Sequence, residues 1–208
     1  MVIIFDFDGT LADSSALIRK LYNQMAAEHS WPSLNETEYQ RLRGLGFIQA
    51  QRWAGIKSWQ IPGLMREGLK RFKQHSAEVE LFEGIPQLIT QLSQAGFTLY
   101  VLSTNSQDAI REVLDRYQLK EQMTVLKRSA LFGKQHAIRH LMAKNKYQPQ
   151  DVWMVGDEVR DIDAAKRAGV KGLAVSWGLQ TSDILKAAQP DAVASHPHEL
   201  LKILTAKN

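Results

Sequence analysis

The chain has 208 residues, a length that suits one domain or one domain carrying a sizeable insertion. Hydrophobic residues make up 44% and charged residues 23%, ordinary usage for a globular protein, which excludes collagen-like, disordered and coiled-coil classes. The net charge is +4, cysteine is absent and no apolar run approaches the length of a membrane span, so disulfides, thiolate metal sites and cysteine nucleophiles are also excluded. Only Met-Val-Ile-Ile-Phe precedes Asp6, with no basic leader or long apolar stretch, and a cytoplasmic location is expected.

In chain order, Val2–Phe5 is a continuous apolar run and the first candidate strand. No convincing strand follows until Phe97, and residues 14–82 read instead as an inserted helical domain. Asp13 or Ser14 caps a helix whose stripe is Leu17, Ile18, Leu21 and Met25, and Asn35 with Glu38 reads as a capping-box start. Pro62 opens a helix carrying Leu64, Met65, Leu69 and Phe72. Trp31, Trp53 and Trp59 are expected to supply the core of this insertion, with Leu81–Gly84 as the return linker. The insertion holds the whole charge surplus, 10 Lys+Arg against 6 Asp+Glu. A surplus this small reads as solvated helix faces, and neither a basic tail nor a nucleic-acid motif accompanies it.

Beyond the insertion the pattern becomes regular. Pro86, Leu88, Ile89 and Leu92 mark a helix stopped at Gly96, and Phe97–Leu102 reads as a strand. Ser106 caps a helix with Ile110, Val113 and Leu114 on one face, followed by a strand at Thr124–Leu126 and a helix at Lys134–Lys144. Strands at Val152–Val155, Gly172–Val175 and Asp191–Ala194, with helices at Ile162–Ala168 and Pro197–Leu204, complete the chain. Strands that are apolar throughout and alternate with helices predict an α/β fold, a Rossmann-like parallel sheet covered on both faces. The core domain would comprise residues 1–13 and 83–208, and the helical cap domain residues 14–82.

Open parallel sheets place their sites at the carboxyl ends of the strands, and three of these strands end in polar residues there. Val2–Phe5 runs into Asp6-Phe-Asp8-Gly-Thr10, Phe97–Leu102 into Ser103-Thr104-Asn105, and Val152–Val155 into Gly156-Asp157. Lys134 opens a helix after Gly133. Asp6 and Asp8 point the same way from extended chain, and carboxylates held together repel unless a cation or a proton intervenes. With Asp157 they form a hard oxygen set suited to Mg2+. Singly, each motif has a plain structural use: a turn at Gly9-Thr10, a helix cap at Ser103-Thr-Asn105, cap and first-turn charges at Asp157 and Asp161, a surface lysine at Lys134. Jointly, and in this order at strand and helix ends, they point to chemistry.

The sequence resembles the haloacid dehalogenase (HAD) superfamily of phosphatases and phosphotransferases. Asp6-Phe-Asp-Gly-Thr-Leu11 is similar to its first motif, Ser103 to its second, Lys134 to its third and Gly156-Asp-Glu-Val-Arg-Asp161 to its fourth. The stretch Asp157–Gly169 and the helical insertion look most like the phosphoglycolate-phosphatase-like branch.

The resemblance implies that Asp6 is the nucleophile forming an aspartyl-phosphate and Asp8 the general acid and base. It places Mg2+ on the Asp6 carboxylate, the Asp8 backbone carbonyl and Asp157, with Asp161 behind them. Ser103, the Thr104 backbone and Lys134 would hold the phosphoryl oxygens. The implied partner is a small phosphate ester, neither nucleic acid nor membrane. A phosphomutase that returns the phosphoryl group to substrate, or a regulatory protein on the same fold, is the alternative.

Several features stay open at this stage. Glu158 reads as a helix first-turn charge more than a metal ligand, and Asn105 and Ser106 as site lining or a cap. Gly44-Leu-Gly46, flanked by Arg41, Arg43 and Arg52, lacks the third glycine of a dinucleotide fingerprint and reads as a hinge. His136 and His140 fall opposite the face carrying Ile138, Leu141 and Met142, so both are expected in solvent. Trp177-Gly178 would line the site mouth or pack beside it.

Overall fold

The computed structural model describes residues 1–126 and 133–205. Its frame is a sheet of six parallel strands: β1 (Val2–Phe5), β4 (Thr98–Val101), β5 (Met123–Val125), β6 (Val152–Gly156), β7 (Lys171–Val175) and β8 (Ala192–Ala194). Their spatial order is β5-β4-β1-β6-β7-β8. From β1 the chain builds outward on one side, then crosses back and builds on the other, so β1 stands at the switch point where open α/β sheets form their sites.

The two-residue period of a strand sends alternate side chains to opposite faces, and both faces here are buried. Ile3 and Phe5 point into one core, shared with Leu88 and Leu92 of helix α5 (Ile85–Gln94), Val113 of α6 (Gln107–Arg116) and Leu204 of α10 (Pro197–Thr205). Val2 and Ile4 point into the other, with Ile138 and Leu141 of α7 (Lys134–Asn145) and Ala165 of α8 (Val159–Ala168). This double burial is why the strands are apolar throughout, without polar alternation. A short helix, α9 (Ser182–Ala187), links β7 to β8.

Residues between β1 and α5 hold helices α1 (Ser15–His29), α2 (Glu36–Arg43), α3 (Phe47–Trp53) and α4 (Ile61–Gln74). Asn35 caps α2 by accepting from Glu38 N at 2.9 Å, and Ser106 caps α6 by accepting from Ala109 N at 3.2 Å. A two-stranded antiparallel ribbon, β2 (Ala12–Asp13) with β3 (Glu80–Leu81), joins the helical segment to the sheet at both ends. The expected return linker at Leu81 therefore begins as a strand. Two-residue strands carry no hydrophobic period, and neither was foreseen.

The tryptophan core expected for the segment is not what holds it together. Trp59 is 79% exposed and Trp31 and Trp53 are only half-buried. Trp31 stacks on His29 at 4.5 Å, and Trp53 lies beside Tyr22 at 6.3 Å. Leu17, Leu21, Met25 and Ala26 of α1 and Phe72 of α4 are buried where these two helices pack, and all are smaller side chains than tryptophan. Ile18, placed on the buried stripe by periodicity, is 46% exposed. Among the described residues no helix is long and apolar enough to cross a membrane.

Candidate active site

Asp6 follows β1 directly, and its backbone N–H donates to Val155 O of β6 at 2.8 Å, which fixes it at the carboxyl edge of the sheet. Its Oδ1 accepts from Phe7 N at 2.7 Å, and its Oδ2 lies 2.7 Å from the ammonium of Lys134. The same ammonium donates to Asp161 Oδ1 at 2.6 Å. Lys134 is buried with both partners. Burial alone would push its pKa down, but the carboxylates of Asp161 and Asp6 outweigh it and hold the ammonium charged, above the ordinary lysine value.

One carboxylate oxygen from each of Asp6, Asp157 and Asp161 lies within 4.8 Å of the others. Asp157 accepts from the Thr10 hydroxyl at 2.9 Å and from Leu179 N at 2.7 Å, and it is fully buried. Burial first, then the charges of Glu158, Asp6 and Asp161, push its pKa well above the usual carboxylate range. Asp161 is pushed up to about 6, chiefly by burial and against the pull of Lys134. Such a set is short of positive charge. Gly9 has φ +80, and a Cβ there would collide with the Asp157 carboxylate, as would one at Gly178. Glycine at these two turns is what lets two loops close around Asp157.

Asp8 lines the same cavity as Asp6, beneath the helical segment. Its Oδ2 accepts from Asn105 Nδ2 at 3.2 Å, while its Oδ1 is buried without a hydrogen-bond partner. The Ser14 hydroxyl lies beside it, short of a well-formed bond. Burial and the nearby Asp6 charge push Asp8 up to about 6, so near neutrality it holds a proton far more readily than a free aspartate. Ser103 is buried, and its Oγ accepts from Asn105 N at 3.0 Å, leaving its own proton to donate. Thr104 and Asn105 line the cavity above Asp8. Asn105, ambiguous in sequence, thus serves both as a site residue and as the start of a turn, its Oδ1 accepting from Ser106 N at 2.8 Å.

Glu158 caps α8 and pairs with Arg160, and both side chains line the cavity. Of the arginines around Gly44-Leu-Gly46, Arg43 reaches the sheet domain, donating from Nε to Leu179 O and from Nη2 to Gly178 O, each at 2.9 Å. Arg41 pairs with Glu38, and Arg52 is exposed. His136 and His140 are both exposed, as their helix face implied. Trp177 donates from its indole to Thr10 O at 3.1 Å and lines the cavity mouth.

Sequence reasoning passed over two contributors. Thr10 was read only as turn chemistry, yet its hydroxyl orients Asp157. Gln180, buried on the loop after β7, accepts from Val159 N at 2.6 Å and donates to Leu45 O at 3.2 Å, tying the helical segment to the start of α8. Nothing local in the sequence marks Gln180. Its polarity inside an otherwise closed loop becomes visible only in three dimensions.

Over these residues opens a cavity of about 720 Å³, floored by Asp6 and Asp8 and roofed by the helical segment. A separate depression of about 760 Å³, lined by Trp59, Arg66 and Lys70, touches none of the carboxylates. The sequence model of a family described as haloacid dehalogenase-like hydrolase matches residues 3–175. The chain belongs to the haloacid dehalogenase-like hydrolases.

This hydrolase is 33% identical over 204 residues to a phosphoglycolate phosphatase of Synechococcus elongatus, an alignment covering 98% of this chain and 96% of the other. It is 26% identical to an N-acetylmuramic acid 6-phosphate phosphatase of Pseudomonas aeruginosa, covering 97% and 93%. In fold it matches a haloacid dehalogenase-like hydrolase from Streptococcus pneumoniae with a TM-score of 0.81 at 24% identity, covering 98% of both chains. Within the family this hydrolase stands with the phosphatases.

Proposed function

We propose that the chain is a Mg2+-dependent phosphatase that hydrolyses a small organic phosphate monoester through an aspartyl-phosphate on Asp6. The observation that carries this reading is the pairing at the cavity floor: a carboxylate bound to a buried lysine, and a second carboxyl group with an unpartnered oxygen. The donor set fits a hard divalent cation, because three buried carboxylates lie within 4.8 Å of one another with too little positive charge between them. Asp6, Asp157 and the Asp8 backbone carbonyl would hold the ion, with Asp161 behind them. Bound there, Mg2+ supplies charge that eases the approach of an anionic phosphoryl group to an anionic nucleophile.

The rest is done by the chain. An Asp6 oxygen attacks phosphorus and the bond to the ester oxygen breaks, while Asp8 delivers its proton to the departing alkoxide. In the second half Asp8 takes a proton from water, which attacks the same phosphorus and frees phosphate and Asp6. Lys134, the Ser103 hydroxyl and the Thr104 N–H would hold the phosphoryl oxygens in line. The helical segment over the cavity acts as a cap that excludes bulk water and must open for exchange.

Free phosphate measured over a panel of metabolite esters with Mg2+ tests the reading. Phosphoglycolate, named for several relatives, belongs on that panel. Accumulation of phosphate supports hydrolysis; recovery of an isomeric phosphate ester in its place would make the chain a mutase.

A further inference from the structure

We infer that the alcohol released at this site is uncharged, largely apolar and at least the size of a six-membered ring, and is not a short hydroxy acid. The inference rests on the phosphatase reading and concerns only the leaving group.

The first ground is size. Ligand cavities of roughly 300–1,000 Å³ enclose drug-sized molecules, and the one above Asp6 and Asp8 measures about 720 Å³. A phosphoryl group seated at the carboxylate end, carrying only two further carbons, would leave most of that space to water. The second ground is the chemistry of the wall. Met25, Trp31, Met65 and Leu69 of the helical segment line it, together with Phe82 at the return to the sheet and Trp177 on the loop after β7. Phe82 and Trp177 meet edge to face at 6.5 Å and give the cavity that Asp8 also lines an aromatic wall. Ile18, Met65 and Leu69 sit at helical positions where periodicity places a buried stripe, yet each retains exposure toward the cavity. Their burial is left for a ligand to complete, and each methylene so covered is worth roughly fourfold in binding.

The third ground is charge. A hydroxy-acid leaving group brings a carboxylate that must be paired once desolvated. Arg19 is bound to Glu36 and lies over the Tyr39 ring at 5.1 Å. Arg43 spends its guanidinium on the carbonyls of Gly178 and Leu179 and on Gln40. Arg160 is paired with Glu158 and lies beside Asp161 and Asp6, at the phosphoryl end. Lys134 is held by Asp6 and Asp161. Among the described residues lining the leaving-group end, every cation is already engaged.

Alkyl esters with leaving alcohols of similar acidity separate binding from intrinsic reactivity. We expect kcat/KM with Mg2+ to rise from ethyl through butyl to 2-phenylethyl phosphate by at least about tenfold, with phosphoglycolate no better than ethyl phosphate. Met65→Lys, at a partly exposed position lining the cavity, should shrink the phenylethyl-to-ethyl ratio and raise phosphoglycolate relative to phenylethyl phosphate, with a melting curve checking that the variant is folded. A flat alkyl series, or a first rank for phosphoglycolate, a sugar phosphate or a nucleoside monophosphate, overturns the inference and leaves the phosphatase reading standing. No phosphate from any ester, p-nitrophenyl phosphate included, overturns both.

Discussion

Asp6 and Asp8 leave the same strand two residues apart, and their surroundings assign them different work. Asp6 has both oxygens occupied, by Phe7 N and by Lys134, and lies among positive and hydrogen-bonding groups that suit a carboxylate. Asp8 keeps one oxygen unpartnered and is pushed up to about 6 by burial and by Asp6. A carboxylate bound to a lysine suits the nucleophile we propose, and a carboxyl that holds its proton suits the acid. Asp6→Asn should abolish phosphate release, and Asp8→Asn should lower it by ~100-fold or more, while circular dichroism melts stay close to the parent. Asp157 has a further dependence, since Thr10 and Leu179 hold its two oxygens. The Mg2+ concentration for half-maximal activity should rise most in Asp157→Ala, less in Asp161→Ala and measurably in Thr10→Val, when activity is titrated with the ion.

At the scale of elements, the turn between α2 and α3 is seated on the loop after β7 by Arg43 and Gln180, and that loop in turn holds Asp157 through Leu179 N. Arg43→Ala should raise KM several-fold, and Arg43→Lys should fail to restore it because an ammonium cannot span two carbonyls as a guanidinium does. Steady-state kinetics on one ester checks both. On the far face, Tyr100 of β4 meets Tyr147, just past α7, with the two hydroxyls 3.0 Å apart. Tyr100 is pushed up to about 12 by burial and then by this bond. A raised acid favours the folded state below its unfolded value, so this contribution is intact below pH ~10 and is lost as pH climbs toward 12. Urea melts across that range should show the loss, and Tyr100→Phe should blunt it. These elements were unequally legible in sequence. The six strands and the helices α5 to α8 and α10 were readable because continuous apolar runs and capped periodic stripes have few other uses. The four acidic residues and Lys134 were readable because each lies close to the end or start of such an element. The tryptophans misled because a large apolar side chain signals burial only when something packs over it, and α3 and the turn around Trp59 have little above them. Thr10 and Gln180 escaped notice because their partners lie far away in the chain.

For the molecule as a whole, the proposed ion would relieve the repulsion among the buried carboxylates of Asp6, Asp157 and Asp161. Mg2+ should therefore raise the melting temperature by several degrees, since a ligand at about 100 times its Kd adds roughly 2.7 kcal/mol to the folded state. EDTA should reverse the shift and stop turnover together, and Asp157→Ala should show a smaller shift than the parent at the same ion concentration. Differential scanning fluorimetry with matched activity assays reads both. The ribbon of Ala12–Asp13 against Glu80–Leu81 has a consequence of another kind. The helical insertion leaves and re-enters the sheet domain at hydrogen-bonded neighbours, so its ends are already brought together by the ladder they form. Loop-closure entropy grows only with the logarithm of length, and doubling such an excursion costs about 0.6 kcal/mol. The sheet domain is thus little affected by the length of what is strung between Ser14 and Val79, provided its packed face is kept. Selection can lengthen, shorten or exchange that segment, and with it the walls of the cavity, while the carboxylates at the strand ends stay in place.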